Sequence, residues 1–290
     1  MGYIKYLKKN LSVSIPRGLK VIDIGSGHAP LIRADVLCDR YPQETVQRPV
    51  SGIYMPPGRF VVGDINDLPF INLAFDFSYC SAVLEHLEDP AKACTELSRI
   101  ARRGLIRVPS ALWETMGGSA AHLWLISLHE GKMVFKRKTM EDVKLSSRIP
   151  EIIRNSKDYE DLFITFYEHF YIDFYWNDNI PIVLHYPEDE QIYEMNEVRQ
   201  DDDLPRKLYE PAAGIKSLTR LFKIIFFESL RRLLGGTNIK PASLLACPIC
   251  KSALNHGQYN THLCEHCKVF YPIINGIPVL LREAATPFHK

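Results

Sequence analysis

The chain has 290 residues, 46% of them hydrophobic and 24% charged, which excludes a disordered polymer and leaves room for one large domain and a small one. A formal net charge of +1 gives no global electrostatic case for nucleic acid, and no apolar run reaches the ~18 residues that a membrane span needs. The basic start MGYIKYLKKN lacks the apolar core and cleavage site of a secretory signal, and Tyr6 stands where a myristoylation signal wants Ser or Thr, so a cytoplasmic location is expected.

The first element in chain order is an apolar strand over 18–24, ending in VIDIGSGHAP. Gly25 and Gly27 let the backbone turn sharply after it and bring bare N–H groups, with Ser26 between them, against a ligand. Asp23 stands at the strand's carboxyl end, where open α/β sheets bind ligands. A dinucleotide fingerprint would want a third glycine at position 30; Pro30 stands there, and only about ten residues lead to the next strand, which weakens that reading. ADVLCD, residues 34–39, is a second short strand ending in Asp39, placed to accept from both hydroxyls of a ribose. Residues 40–58 form a long proline-bearing connection. A third strand, 59–63, runs into Asp64 and Ile65 of GDINDLPF, where Leu68, Pro69 and Phe70 are expected to pack beneath.

A fourth strand, FDFSYCS over 75–81, ends at Ser81 and leads into AVLEHLEDP. Asp89 is placed to cap the next helix and Pro90 to open it, with apolar positions 93, 94, 97, 100 and 101 on one face and Gly104 as its stop. Residues 105–108 form a fifth strand. The order strand, glycine turn, strand, strand, strand, helix, strand predicts a doubly wound sheet. Farther on, FYIDFYW and IPIVLHY are separated by the polar run NDN and read as a hairpin that closes the sheet.

These runs resemble the class I S-adenosylmethionine-dependent methyltransferases. VIDIGSGHAP resembles their first motif, with Ala29 where many members have a third glycine, and GDINDLPF resembles their third cofactor motif. The resemblance implies an α/β, doubly wound, mostly parallel seven-stranded Rossmann-like sheet and S-adenosylmethionine as cofactor. It assigns cofactor contacts to Asp23, Gly25, Ser26, Gly27, Asp39, Asp64, Ile65 and Ser81. In the family's third motif the acid accepts from the adenine amino group and the next backbone N–H meets a ring nitrogen; Asp64 and Ile65 occupy those places.

Methyl transfer is an in-line displacement, so most of its acceleration comes from holding donor and acceptor in line, and a base is needed only for a neutral hydroxyl or amine acceptor. His86 is placed for that proton chemistry, or else packs beside the cofactor and satisfies a backbone carbonyl. A glycine pair before His122 and Trp124 suggests a loop that delivers an imidazole and a large ring to the site; both residues equally fit the core of an inserted helix. CSAVLEH stands where base and glutamine methyltransferases usually carry an Asn-Pro-Pro-Tyr-like run, which favours a small-molecule, lipid or glycan acceptor over RNA or protein.

The composition turns acidic from Glu188 to Asp203, as expected of a solvated linker. Ser217 is placed to cap an amphipathic helix with basic polar positions, ending at Gly235 and Gly236, which docks its apolar face or meets phosphates or a membrane surface. Next come Cys247-Pro-Ile-Cys250 and Cys264-Glu-His-Cys267, two C-x-x-C knuckles that supply the four soft ligands of a closed, structural zinc site. Cys38, Cys80 and Cys94 are scattered and read as small core residues of a chain in a reducing compartment. Asn275-Gly276 between apolar runs signals a hairpin.

Residues 245–281 resemble the small zinc-ribbon activator subunit of several tRNA, rRNA and release-factor methyltransferases, fused here to its enzyme. By that resemblance the ribbon covers apolar surface of the catalytic domain and tilts the acceptor back toward RNA or protein. The expected organisation is a methyltransferase domain over 1–186, an acidic linker over 187–215, a basic helix over 216–236 and a zinc ribbon over 244–283. Two rival functions are a non-catalytic nucleoside-binding adaptor acting through the ribbon and basic helix, and a dinucleotide oxidoreductase.

Overall fold

The computed structural model describes residues 13–41, 55–56, 58–146, 148, 156–188, 191–194, 226–257 and 260–288. Its strands in the first part of the chain are β1 (Val21–Ile24), β2 (Val36–Asp39), β3 (Phe60–Gly63), β4 (Phe77–Ser81), β5 (Arg103–Pro109), β6 (Trp124–His129), β7 (Lys132–Arg137), β8 (Tyr171–Asn177) and β9 (Ile182–His185). The C-terminal part adds β10 (Asn255–His256), β11 (Thr261–Cys264), β12 (Val269–Ile274), β13 (Ile277–Leu280) and β14 (Thr286–Pro287). The helices are α1 (Pro90–Ile100), α2 (Ala111–Gly117), α3 (Met140–Ser146), α4 (Lys157–Thr165), α5 (Tyr167–Phe170) and α6, residues 226–233. The fold is α/β, with mostly parallel pairing around its first strands and a β ribbon at the C-terminal end.

Two compact units share the chain, which passes between them within β4 and again within α1; the first comprises Met1–Tyr79, Glu96–Arg102 and Arg199–Lys290. In this unit β1, β2 and β3 run parallel, with Asp23 opposite Leu37 and Asp39 opposite Val62. All twelve of their residues are buried, which is why they read as continuous apolar runs and not as alternation. The entry to β4 lies beside β1, where Asp76 and Phe77 donate their N–H groups to the Lys20 carbonyl at 2.9 and 3.2 Å. The Asp76 carboxylate returns the bond by accepting from the Lys20 N–H at 2.7 Å.

The ribbon belongs to the same unit. β10, β11 and β12 form an antiparallel meander, and Asn275 (φ 53°) and Gly276 (φ 77°) turn β12 into β13, the positive-φ pair that the sequence signals. β13 then lies parallel to β3, with Val279 opposite Val62 and Leu280 opposite Gly63. A second seam joins Leu244–Ala246 to the segment after β3: Ile71 donates to the Leu244 carbonyl and Ala246 to that of Pro69, both at 2.9 Å. Leu68 and Phe70 are fully buried there. The Arg99 guanidinium donates to the carbonyls of Phe70 (2.7 Å) and Leu68 (2.9 Å) and pairs with Glu96, which also takes Lys251 of the ribbon at 2.8 Å.

The second unit comprises Cys80–Thr95 and Arg103–Val198. Asp89 caps α1 through the Lys92 N–H at 2.9 Å, with Pro90 in first place as expected. The helix stops at Ile100, not at Gly104, which lies inside β5 opposite Trp176 of β8. A residue without a side chain suits a position facing an indole.

The expected hairpin over β8 and β9 does not form. β8 pairs antiparallel with β5, whereas β9 leaves it and runs parallel to β7 in a separate three-stranded sheet, β6-β7-β9. Pro181 accounts for part of this. It has no N–H to return to a hairpin partner, and its carbonyl accepts from Met133 at 3.0 Å, starting the ladder on β7. Trp124 opens β6 instead of lining a pocket: it is fully buried, donates Nε1–H to the Leu87 carbonyl at 2.7 Å and packs edge-on against Phe135. Ser217 and most of the acidic run lie outside the described residues. No helix among the described residues is long and apolar enough to cross a membrane.

Candidate functional site

In the first unit the strand-end residues predicted to hold a cofactor form one connected rim. After β1 the chain turns through Gly25 (φ 71°) and Gly27 (φ 49°), a left-handed path that side chains resist. Two loop amides, of Gly25 and Ser26, share the Cys38 carbonyl of β2 at 2.8 and 3.2 Å. The Gly27 N–H donates to Asp39 at 2.8 Å, and the Tyr41 N–H takes the other Asp39 oxygen at 2.8 Å. Asp23 accepts from the Leu31 N–H at 2.7 Å and so fixes the far end of the turn.

Asp23 and Asp39 are both buried and lie near each other. Burial, then the charges of Asp39 and of Asp23, push the Cys38 thiol between them well up. Asp64 follows β3, where it accepts from the Asn66 N–H at 2.8 Å and pairs with Arg40. Ile65 begins a short 3-10 turn and is buried. Ser26 Oγ is buried with no hydrogen-bond partner, a group left for a ligand to satisfy. Carboxylate acceptors and this hydroxyl suit a nucleoside with ribose hydroxyls and an exocyclic amine. Ser81 belongs to the second unit, half-buried at the end of β4.

At the C-terminal end the four predicted metal ligands come together. The sulfurs of Cys247, Cys250, Cys264 and Cys267 all lie within 4.8 Å of one another. Cys250 to Cys264 is 3.5 Å and Cys247 to Cys267 is 4.0 Å, on either side of the ~3.8 Å expected between thiolates around tetrahedral zinc at about 2.3 Å. Both knuckles turn alike, since the residue after each, Lys251 (φ 63°) and Lys268 (φ 56°), is left-handed. Burial raises the Cys250 thiol, but hydrogen bonds from Ser252, Cys267 and Cys264 outweigh it and bring it to about 6, so a thiolate forms readily there. With four sulfurs, the zinc has no open position and is structural.

The second unit brings His86 and His122 together. His86 closes a 3-10 turn, Leu84–His86, directly after β4, and His122 precedes β6. Their rings meet edge to face with centroids 4.5 Å apart. His86 Nδ1 lies 2.9 Å from the Ala121 carbonyl, and His122 Nδ1 bonds the Glu114 carboxylate. Because both partners only accept, each Nδ1 donates its proton.

Glu114 is buried, pairs also with Lys138, and accompanies Trp113, which stacks on His122 at 5.5 Å. Backbone bonds lock the group: Leu123 N–H to Glu85 carbonyl at 2.7 Å and Lys138 N–H to Leu123 carbonyl at 2.9 Å. Sequence reasoning missed Glu85, Trp113, Glu114 and Lys138. They sit at no recognisable spacing from the histidines, and only the β6–β7 hairpin brings Lys138 back to them.

Residues 39–106, the stretch from the tip of β2 into β5, match the family described as Methyltransferase domain. Among solved structures, an S-adenosylmethionine dependent methyltransferase from Mesorhizobium loti is 18% identical, over 47% of this chain and 65% of its own, with a TM-score of 0.30. A methyltransferase in complex with the Trm112 methyltransferase activator from Haloferax volcanii is 22% identical, over 36% of this chain and 50% of its own, with a TM-score of 0.28. This chain thus spans half to about two thirds of their lengths, and superpositions at that level are too loose to define a site. Within residues 39–106 the chain is thus similar to a methyltransferase domain.

The ribbon has nearer relatives. A UPF0434 protein of Nitrosococcus oceani is 44% identical over 50 residues, 17% of this chain but 85% of its own length. The UPF0434 protein of Wigglesworthia glossinidia brevipalpis is 42% identical over 52 residues, 18% of this chain and 93% of its own. Through this C-terminal ribbon the chain belongs to the UPF0434 family.

Proposed function

We propose that the chain transfers the methyl group of S-adenosylmethionine to a nucleophilic oxygen or nitrogen of a small molecule, lipid or glycan, in a reducing cytoplasmic setting. The observation that carries the cofactor half is the rim at the ends of β1, β2 and β3. In this reading Asp39 holds the ribose hydroxyls and Asp64 with the Ile65 N–H holds the adenine. Asp23, the Gly25–Gly27 turn and the Ser26 hydroxyl hold the amino acid part. The cofactor supplies a methyl group activated by its sulfonium charge. The chain's contribution is position: a turn pinned by Asp23 and Asp39 keeps its amides in place before anything binds, so little ordering is left for the bound state.

For the acceptor, His86 and His122 are the proton-handling groups, each with Nδ1 held by an acceptor. The CSAVLEH run after β4 supports a non-nucleobase acceptor.

Calorimetric titration with S-adenosylmethionine, run beside NAD, tests the cofactor half. Binding of the first and not the second supports it, and no binding at millimolar cofactor overturns it. Labelled cofactor incubated with fractionated cell extract tests the acceptor: label in the small-molecule or lipid fraction supports the proposal, and label in RNA or protein overturns that part of it.

A further inference from the structure

We infer that the basic helix α6 and the turn after it build a second ligand site, a pocket for the phosphate group of a small molecule, at the opposite end of the first unit's strands from the cofactor rim. A cleft of about 290 Å³ is lined by Arg59, Glu228, Arg231, Arg232, Thr237 and Asn238, among others, all of the first unit. That volume lies at the lower edge of the ~300–1,000 Å³ usual for small-ligand pockets. Asp35, directly before β2, anchors the cleft: its carboxylate takes the Arg231 guanidinium at 2.7 Å and the Thr237 N–H at 2.6 Å. Asp39, at the other end of β2, belongs to the rim, so about 13 Å of strand lies between the two acids.

The glycine pair that ends α6 shapes the cleft. The Gly235 N–H donates to the Arg232 carbonyl at 3.0 Å and the Gly236 N–H to that of Arg231 at 2.9 Å, the paired bonds that close a helix through a left-handed residue, here Gly235 (φ 88°). A Cβ on Gly236 would meet Arg231 Nη1 at 2.4 Å, and one on Gly235 would meet Arg17 Cγ at 2.5 Å. Without those carbons the chain doubles back over Arg231, whose guanidinium donates to the Thr237 carbonyl at 2.6 Å. Arg59 is fixed from the sheet side by donating to the carbonyls of Asp35 and Ala34, both at 3.0 Å.

Charge and an unmet polar group name the ligand. Arg33, Asp35, Arg231, Glu228 and Arg59 form a chain of ion pairs, and Arg232 has no acid partner among the described residues. Four guanidiniums against two carboxylates leave a surplus of two positive charges, which the near-dianion of a phosphate monoester balances. Glu228, the acid in the lining, is shared by Arg59 and Arg231 and so presents little net charge to an arriving anion. Thr237 Oγ1 is buried with no hydrogen-bond partner among the described residues, while the N–H and carbonyl of the same residue are both bonded, which leaves a fixed hydroxyl for a ligand to satisfy. A guanidinium fork with a hydroxyl in the same cleft suits phosphate oxygens. The cleft holds one small molecule, and a net charge of +1 gives a long polyanion no wider basic field to follow.

The site stands whether or not the chain transfers methyl groups, because the rim takes no part in it. Calorimetric titration of the full-length, zinc-loaded protein with inorganic phosphate, pyrophosphate and glycerol 3-phosphate tests it, beside succinate as a carboxylate dianion and a short RNA duplex as a polymer. Saturable binding of at least one phosphate compound is expected, one per chain, weakened about tenfold in Arg232→Gln and in Thr237→Val. Saturating S-adenosylmethionine should not displace it. Arg232 is exposed, so its replacement leaves the fold intact and decides the outcome where Thr237→Val disturbs the turn. No saturable binding at millimolar phosphate compounds, equal affinity in wild type and Arg232→Gln, or displacement by S-adenosylmethionine overturns the inference. Succinate bound as tightly as the phosphates, or RNA bound through Arg232 while the small phosphates are not, overturns it as well.

Discussion

The four-cysteine centre and the Glu85-His86-His122 cluster are opposite solutions to bringing side chains together. The ribbon's thiols sit on two tight knuckles within residues 247–267, both turned through the same left-handed residue, and they close around their ion completely. The second cluster draws on a turn after β4 and on the approach to β6, and is held by a backbone bond from Leu123 to Glu85. A local centre builds its own fold and is spent on stability. An assembled one depends on a fold already in place.

Stripping the metal from the ribbon is the sharpest way to break this contrast. Removing the ribbon's zinc with a strong chelator, or substituting Cys264→Ser, is expected to unfold the ribbon, because structural zinc contributes about 10–16 kcal/mol of apparent binding energy to such modules. Hydrogen exchange at Val61 and Val62 of β3 should then rise steeply, and unchanged protection there would show that β13 adds nothing to the sheet.

Asp39→Ala should act on the other side of the contrast, lowering affinity for S-adenosylmethionine by about 10–100-fold through two lost charge-assisted bonds, with the ribbon's zinc content unchanged. Calorimetry of wild type and variant measures it, and equal affinities would remove Asp39 from the rim.

A third prediction concerns the seam that joins ribbon to sheet. Burial pushes Glu96 up, but hydrogen bonds from Arg99 and Lys251 outweigh it and hold the carboxyl below its ordinary range. A carboxyl lowered in the folded state adds stability that is fully present above its unfolded value of about 4.3 and is lost as pH falls through the lower folded value. Glu96→Gln is therefore expected to cost about 1–3 kcal/mol at neutral pH and to lose that difference in acid. Denaturant melts at neutral and acidic pH measure this, and a pH-independent difference would mean that packing and not charge is at stake. The smallest effect belongs to Gly276→Ala, about 1 kcal/mol, since φ is 77° there and nothing lies within 4 Å of an added methyl. A thermal melt of the zinc-loaded protein detects it.

What the sequence made legible follows the same line between local and assembled. The strands β1 to β3, the Asp89–Pro90 start of α1, the Asn275-Gly276 turn and the cysteine knuckles all announce themselves because their causes lie within a few residues. The β9 strand was misread because alternation and a polar turn look the same whether a strand folds back on β8 or crosses to β7, and only the Pro181 carbonyl marks the difference. Trp124 resembled a site residue in sequence, yet its indole N–H is satisfied by Leu87 in the core. Glu114 and Lys138 gave no signal at all, since nothing about a lone acid in a short helix, or a lysine after a strand, reveals that they will neutralise one another beside an imidazole.

The parallel pairing of β13 with β3 has one more outcome. A freestanding ribbon falls away on dilution, but here the occupant of that strand is tethered to its own sheet, so docking is intramolecular and independent of protein concentration. The β3 margin, whose unpaired amides would otherwise invite sticky self-association, is shielded by a segment that each newly made chain carries with it.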